Sequence, residues 1–112
     1  MNVYHYIENK TLLFEITEEI DHHETEKLRR QMDYEIQRLL PERVVFDMHR
    51  VVFMDSAAIG LLLGRYKKIA MYGGILNLAN VNEKIIKIFN MSGILKLTPI
   101  IDIDELKIKN TI

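Results

Sequence analysis

The chain of 112 residues has no cysteine, which excludes disulfide scaffolds, thiolate metal sites and cysteine nucleophiles and fits a reducing compartment. It lacks an excess of charge of either sign. With 15 Lys and Arg against 16 Asp and Glu, no global field draws it to a nucleic-acid backbone or an anionic membrane. Partners are therefore expected to be met through local surface, with no direct nucleic acid among them. Long apolar runs are missing as well: nothing approaches the roughly 20 residues of a membrane span. The opening MNVYHYIENK has neither the basic start nor the apolar stretch of a signal peptide. These absences predict a soluble, cytoplasmic protein. No Pro/Gly/Ser linker, repeat or low-complexity tract divides the chain, so residues 1–112 are expected to form one domain. A hydrophobic content of 48% is ample for its core.

Two stretches near the N-terminus, VYHYIE and TLLFEI, are rich in aromatic and β-branched residues, and Asn9-Lys10 between them suits a hairpin turn. From Glu24 to Leu40, Leu28, Met32, Ile36 and Leu39 recur at helical spacing until Pro41. Val44-Val45-Phe46 is apolar on successive positions, as in a central strand covered on both faces. The stretch VVFM, Val51 to Met54, reads as buried strand, after which an apolar helix runs from Ser56 to about Tyr72 and is closed by Gly73-Gly74. ILNLA reads as another buried strand. Glu83 to Met91 reads as a short helix with Ile85, Ile86 and Phe89 on one face and Gly93 as its left-handed stop, and LTPII as an edge strand. Asp102 with Glu105 suggests a capping box opening a terminal helix, IDELKIK. Alternation of strand and helix predicts an α/β fold: a mixed, mostly parallel sheet of about 4–5 strands with about four helices packed on it.

The most informative stretch is FMDSAAIGLLLGRYKKI, Phe53 to Ile69. Asp and Ser are favoured at a helix start simply because its first amides are unpaired and its dipole is positive there. The same amides and dipole tolerate an added phosphate, so chemistry permits Ser56 either as an ordinary cap or as a modification site. No G-x-S-x-G elbow surrounds it and no Gly-Lys-Ser/Thr phosphate loop occurs, so neither a hydrolase nor a nucleotide-binding protein is favoured. No enzymatic activity and no cofactor is expected. His22 and His23, being adjacent, do not project together as metal ligands at i and i+4 do, so no metal is expected; His49 has no partner fixed by sequence. Gly60 and Gly64 form a G-x-x-x-G in a run too short to span a membrane, which suggests close packing of this helix on the sheet. Arg65, Lys67 and Lys68 read as a solvated basic helix end, and the methionines as core filler, Met54 excepted because it lies next to the loop of Asp55 and Ser56.

This stretch resembles the segment F-M-D-S-S-G-L-G-x-x-L-G-R-Y-K of the bacterial anti-sigma factor antagonists, whose domain is called STAS. EEIDHHETEKLR, Glu18 to Arg29, resembles the family's G-E-L-D-H-H-T-A-E-x-L-R, and IFNMSGILKL, Ile88 to Leu97, its L-F-D-M-S-G-L-x-K-I. Asp-His-His places the likeness nearest the sporulation branch, which acts on the anti-sigma-F factor; a stress-response or scaffold member with a different kinase is the alternative within the fold. The resemblance implies that Ser56 is phosphorylated by an anti-sigma factor serine kinase. The unphosphorylated form would bind that kinase and free its sigma factor, and a serine phosphatase would restore it. It also implies that Asp21, Asp55, Ser56 and Met54 meet the partner. Ala57-Ala58 replaces the family's Ser-Gly, leaving Ser56 the motif's one hydroxyl and stiffening the first helical turn.

Overall fold

The computed structural model describes residues 1–106. The first strand, β1 (Asn2–Tyr6), pairs antiparallel with β2 (Thr11–Glu15), and Lys10 closes the turn between them in the left-handed region, at φ 50°. Strands β3 (Arg43–Asp47), β4 (Ile75–Ala79) and the short edge strand β5 (Ile100–Ile101) follow in parallel, giving a five-stranded sheet in the order β1-β2-β3-β4-β5. The α/β, mostly parallel architecture is the one the alternation of elements predicts. β3 is central, and its successive Val44, Val45 and Phe46 are all fully buried.

The two faces of that strand serve different clusters. Val44 and Phe46, with Leu12, Phe14, Leu76 and Leu78, meet the helices in one large core, where Phe14 stacks on Phe46 with ring centroids 5.5 Å apart. Val45, Leu13 and Ala79 form a smaller cluster on the opposite face with Tyr6, Ile101 and Ile103. Helix α1 (Thr25–Leu39) contributes Leu28, Met32 and Ile36 to the large core; α2 (Ser56–Ala70) contributes Ala58, Leu61, Leu62 and Ile69; α3 (Glu83–Ser92) contributes Ile85 and Phe89. Each adds the apolar stripe that its sequence spacing announces. Asn82 caps α3 through the Ile85 amide, and Gly93 ends it at φ 77°.

Three α-helices stand among the described residues, against about four expected. The terminal segment opens as a 3-10 turn over Ile103–Leu106, with the Asp102 carboxylate accepting from the Asp104 amide at 3.0 Å; the rest of IDELKIK lies outside the described residues. Val51 to Met54 is loop rather than strand, because β3 ends at Asp47 and the polar His49-Arg50 follows at once. Gly60 and Gly64 do not pack on the sheet: a Cβ at either position would meet nothing within 4 Å.

Arg65 is the larger correction. It is not a solvated basic end but is 4% exposed between α1 and α2, with Nε 2.9 Å from Oδ1 of Asp33, itself 7% exposed. Lys68 Nζ reaches the other Asp33 oxygen at 3.1 Å, and Arg29 stands 3.6 Å away. Burial lowers the Arg65 pKa below its ordinary value; Asp33 opposes that shift and Arg29 adds to it.

Helix α1 ends on Leu40 at φ 43° and ψ 57°, whose amide donates to the Ile36 carbonyl before Pro41. Left-handed backbone costs a side chain such as leucine roughly 1 kcal/mol that glycine does not incur. Leu40 is largely exposed, so little packing is at stake. Leu40→Gly is expected to stabilise the protein by about 0.5–1 kcal/mol, read as a higher denaturation midpoint with unchanged slope.

Candidate functional site

Two loops leave the C-terminal ends of neighbouring parallel strands, the end of an α/β sheet at which sites tend to assemble. One runs from β2 to α1 and carries Asp21; the other runs from β3 to α2 and carries Asp55 and Ser56. A single parallel bridge between Ile20 and Met54 draws them together. Both bridging residues are buried, and on each loop the next residue is an acid, Asp21 on one and Asp55 on the other.

Asp55, not Ser56, is the N-cap of α2: its carboxylate accepts from the Ala57 amide at 2.9 Å. Ser56 is thereby released from capping. It stands exposed as the first helical residue, and its hydroxyl makes no hydrogen bond among the described residues. Asp21 has a structural task too, since its side chain accepts from the amides of His23 at 2.9 Å and Glu24 at 3.0 Å and so shapes the turn into α1. Ala58 is fully buried, where its methyl packs into the core.

Met54 is corrected. At 2% exposed it belongs to the large core and fixes the loop from beneath, so its side chain is not available to a partner. The residues that face outward are Val52 and Phe53, 67% and 62% exposed. Sequence reasoning missed them by treating the run as strand; the burial of Val51 and Met54, three apart, is the period of a turn. The loop carrying them is fastened at its start, Val51 donating to the Met48 carbonyl and accepting from the Asn82 side chain, each at 3.0 Å. An apolar pair held out beside an exposed serine is a feature of contact surfaces.

His22 and His23 are both exposed and lie edge to face, with ring centroids 6.0 Å apart. A different histidine gathers acids. His49 Nδ1 lies 3.0 Å from Asp47 Oδ1 and its Nε2 lies 3.5 Å from Glu15 Oε2. Asp47 Oδ1 also accepts from the His49 amide and from Asn80, so the cluster ties the loops after β3 and β4 to each other.

A scan against protein-family models matches the STAS domain over residues 3–111. The chain is 40% identical over 91 residues to the anti-sigma F factor antagonist of Paenibacillus polymyxa, covering 81% of this chain and 78% of that protein. Among solved structures it is similar to the anti-sigma factor antagonist SpoIIAA in its unphosphorylated form, with a TM-score of 0.80, 23% identity, and 99% and 97% of the two chains covered. It is also similar to the Bacillus cell fate determinant SpoIIAA in the phosphorylated form, with a TM-score of 0.71, 25% identity and 93% of each chain covered.

Proposed function

The chain belongs to the STAS domain family, among the anti-sigma factor antagonists, and from that premise we propose that it binds an anti-sigma factor serine kinase in the cytoplasm and so releases a sporulation sigma factor. Phosphorylation of Ser56 by that kinase ends binding, and a serine phosphatase restores the binding form. The reading rests chiefly on Ser56, which is exposed, free of capping duty and carried by the loop that the Ile20–Met54 bridge joins to the loop of Asp21. The related protein solved in a phosphorylated form supports it.

The physical logic is one of added charge. A phosphoserine carries about −1.5 to −2 at neutral pH and would stand next to Asp55 and Asp21. At the first position of α2 the helix dipole accommodates it, so the fold persists while an acid-facing partner is repelled. The partner surface is expected to offer an apolar recess to Phe53 and to cover the Ser56 hydroxyl, where a dianion would lose its water without gaining a counter-charge. On this reading the protein is a substrate and a ligand, not an enzyme.

Mass spectrometry after incubation with anti-sigma factor kinases and ATP tests the proposal. One phosphate is expected, on Ser56, absent from Ser56→Ala and absent without kinase. A phosphate placed elsewhere, or ATP turnover by the chain alone, would count against it. Phe53→Ala is expected to weaken kinase binding by about 2 kcal/mol, roughly thirtyfold, as buried aromatic anchors do. Its thermal midpoint should match wild type, since the ring is already exposed.

A further inference from the structure

We propose that Glu15, Asp47 and His49 form a binding site for a divalent transition-metal cation of the zinc type, at the carboxyl ends of β2 and β3. The site is independent of the reading of Ser56. It is equally independent of His22 and His23, the adjacent pair from which no metal is expected.

Strand register makes the cluster. Glu15 and Asp47 are partners across the parallel pair of β2 and β3, so their side chains leave the same face of the sheet. His49 turns back toward them because its amide donates to Asp47 Oδ1 at 3.1 Å. One donor atom from each of the three lies within 4.8 Å of the other two. Neighbours hold both carboxylates in place: the Asn2 side chain donates to Glu15 Oε1 at 2.6 Å, and that of Asn80 donates to Asp47 Oδ1 at 3.0 Å.

His49 carries the argument. A neutral imidazole has a single N–H. With that proton on Nδ1, 3.0 Å from Asp47 Oδ1, the other nitrogen is left with a lone pair. Nε2 makes no hydrogen bond among the described residues and faces Glu15 Oε2 at 3.5 Å. Two electron-rich atoms at that separation repel unless a cation lies between them. Zinc bound at about 2.0–2.1 Å to each donor sets them roughly 3.3–3.5 Å apart along a tetrahedral edge. A carboxylate on the far ring nitrogen, fixing tautomer and orientation, is the arrangement that metal-binding histidines use.

Charge balance agrees. No Lys or Arg pairs with Glu15 or Asp47 among the described residues, so two carboxylates share the cluster with His49 alone. Imidazole beside carboxylate suits zinc better than calcium or magnesium, which take oxygen donors. Asp47 is buried and Glu15 half-buried, whereas His49 is exposed, which leaves the ion a way in.

The test is ring-nitrogen NMR of the full chain titrated with zinc chloride near neutral pH in a non-chelating buffer. Saturable binding is expected, with the Nε2 resonance of His49 shifted and those of His5, His22 and His23 unmoved. His49→Gln should abolish it. Glu15→Gln keeps the side chain's shape and should weaken binding at least about tenfold, the least that losing an outer hydrogen-bond partner costs a metal site. The double variant His22→Ala/His23→Ala should bind as wild type does. No saturable binding, binding that survives His49→Gln, or binding lost in His22→Ala/His23→Ala overturns the proposal. Should Glu15→Gln fail to fold, His49→Gln, altered at an exposed side chain, decides alone.

Discussion

Ser56→Asp is expected to bind the anti-sigma factor kinase about a hundredfold more weakly than wild type, a change of about 2.7 kcal/mol, while Ser56→Ala binds within about threefold. The asymmetry follows from where the residue sits. Asp55 already caps α2, so neither variant removes a hydrogen bond from the helix, and an added carboxylate in the first turn favours the dipole. Both should unfold at nearly the wild-type midpoint. What differs is the proposed interface: a further acid would stand beside Asp55 on the loop that the Ile20–Met54 bridge joins to that of Asp21, and like charges in a contact cost several kcal/mol. Isothermal calorimetry with the kinase, alongside thermal unfolding of the free variants, separates the two effects. Equal affinity of the two variants would remove the charge mechanism.

Asp33→Leu is expected to destabilise the protein by about 3–5 kcal/mol, because removing one partner of a buried pair leaves its opposite uncompensated. Arg65 would be stranded between the helices, with Arg29 and Lys68 nearby and its own carboxylate partner gone. The double variant Asp33→Leu/Arg65→Met should recover most of the loss, since apolar pairs of similar volume replace buried ion pairs without large cost. Urea denaturation of the two single variants and the double one gives the coupling directly. A single-variant cost under about 1 kcal/mol would instead indicate the weak coupling of a solvated surface pair.

The strands and helices were legible wherever a periodic stripe ran uninterrupted, as in Leu28, Met32 and Ile36 of α1 and the triple apolar run of β3. The proposal of Ser56 as a phosphorylation site comes from motif resemblance rather than from pattern alone. Three things were not. Asp33 looks like any surface acid in α1, and only the packing of α2 across it reveals Arg65 as its counter-ion. Val51 to Met54 has strand-like composition, but its pairing partner is one residue, Ile20, of a distant loop. The His49 cluster depends on the register of β2 against β3, which places Glu15 opposite Asp47, and spacing within one segment does not encode that.

Leu40 and the loop of Val52 and Phe53 show opposite uses of exposure, one a place where a bare backbone would serve better, the other a place where side chains are held out on purpose. The bridge beneath that loop adds an evolutionary consequence. Because Ile20 and Met54 lie inside while Val52 and Phe53 project outward, the spacing of the exposed pair is inherited from the interior rather than from the pair itself. The projecting side chains can therefore be exchanged while the mounting that holds them in register stays unchanged.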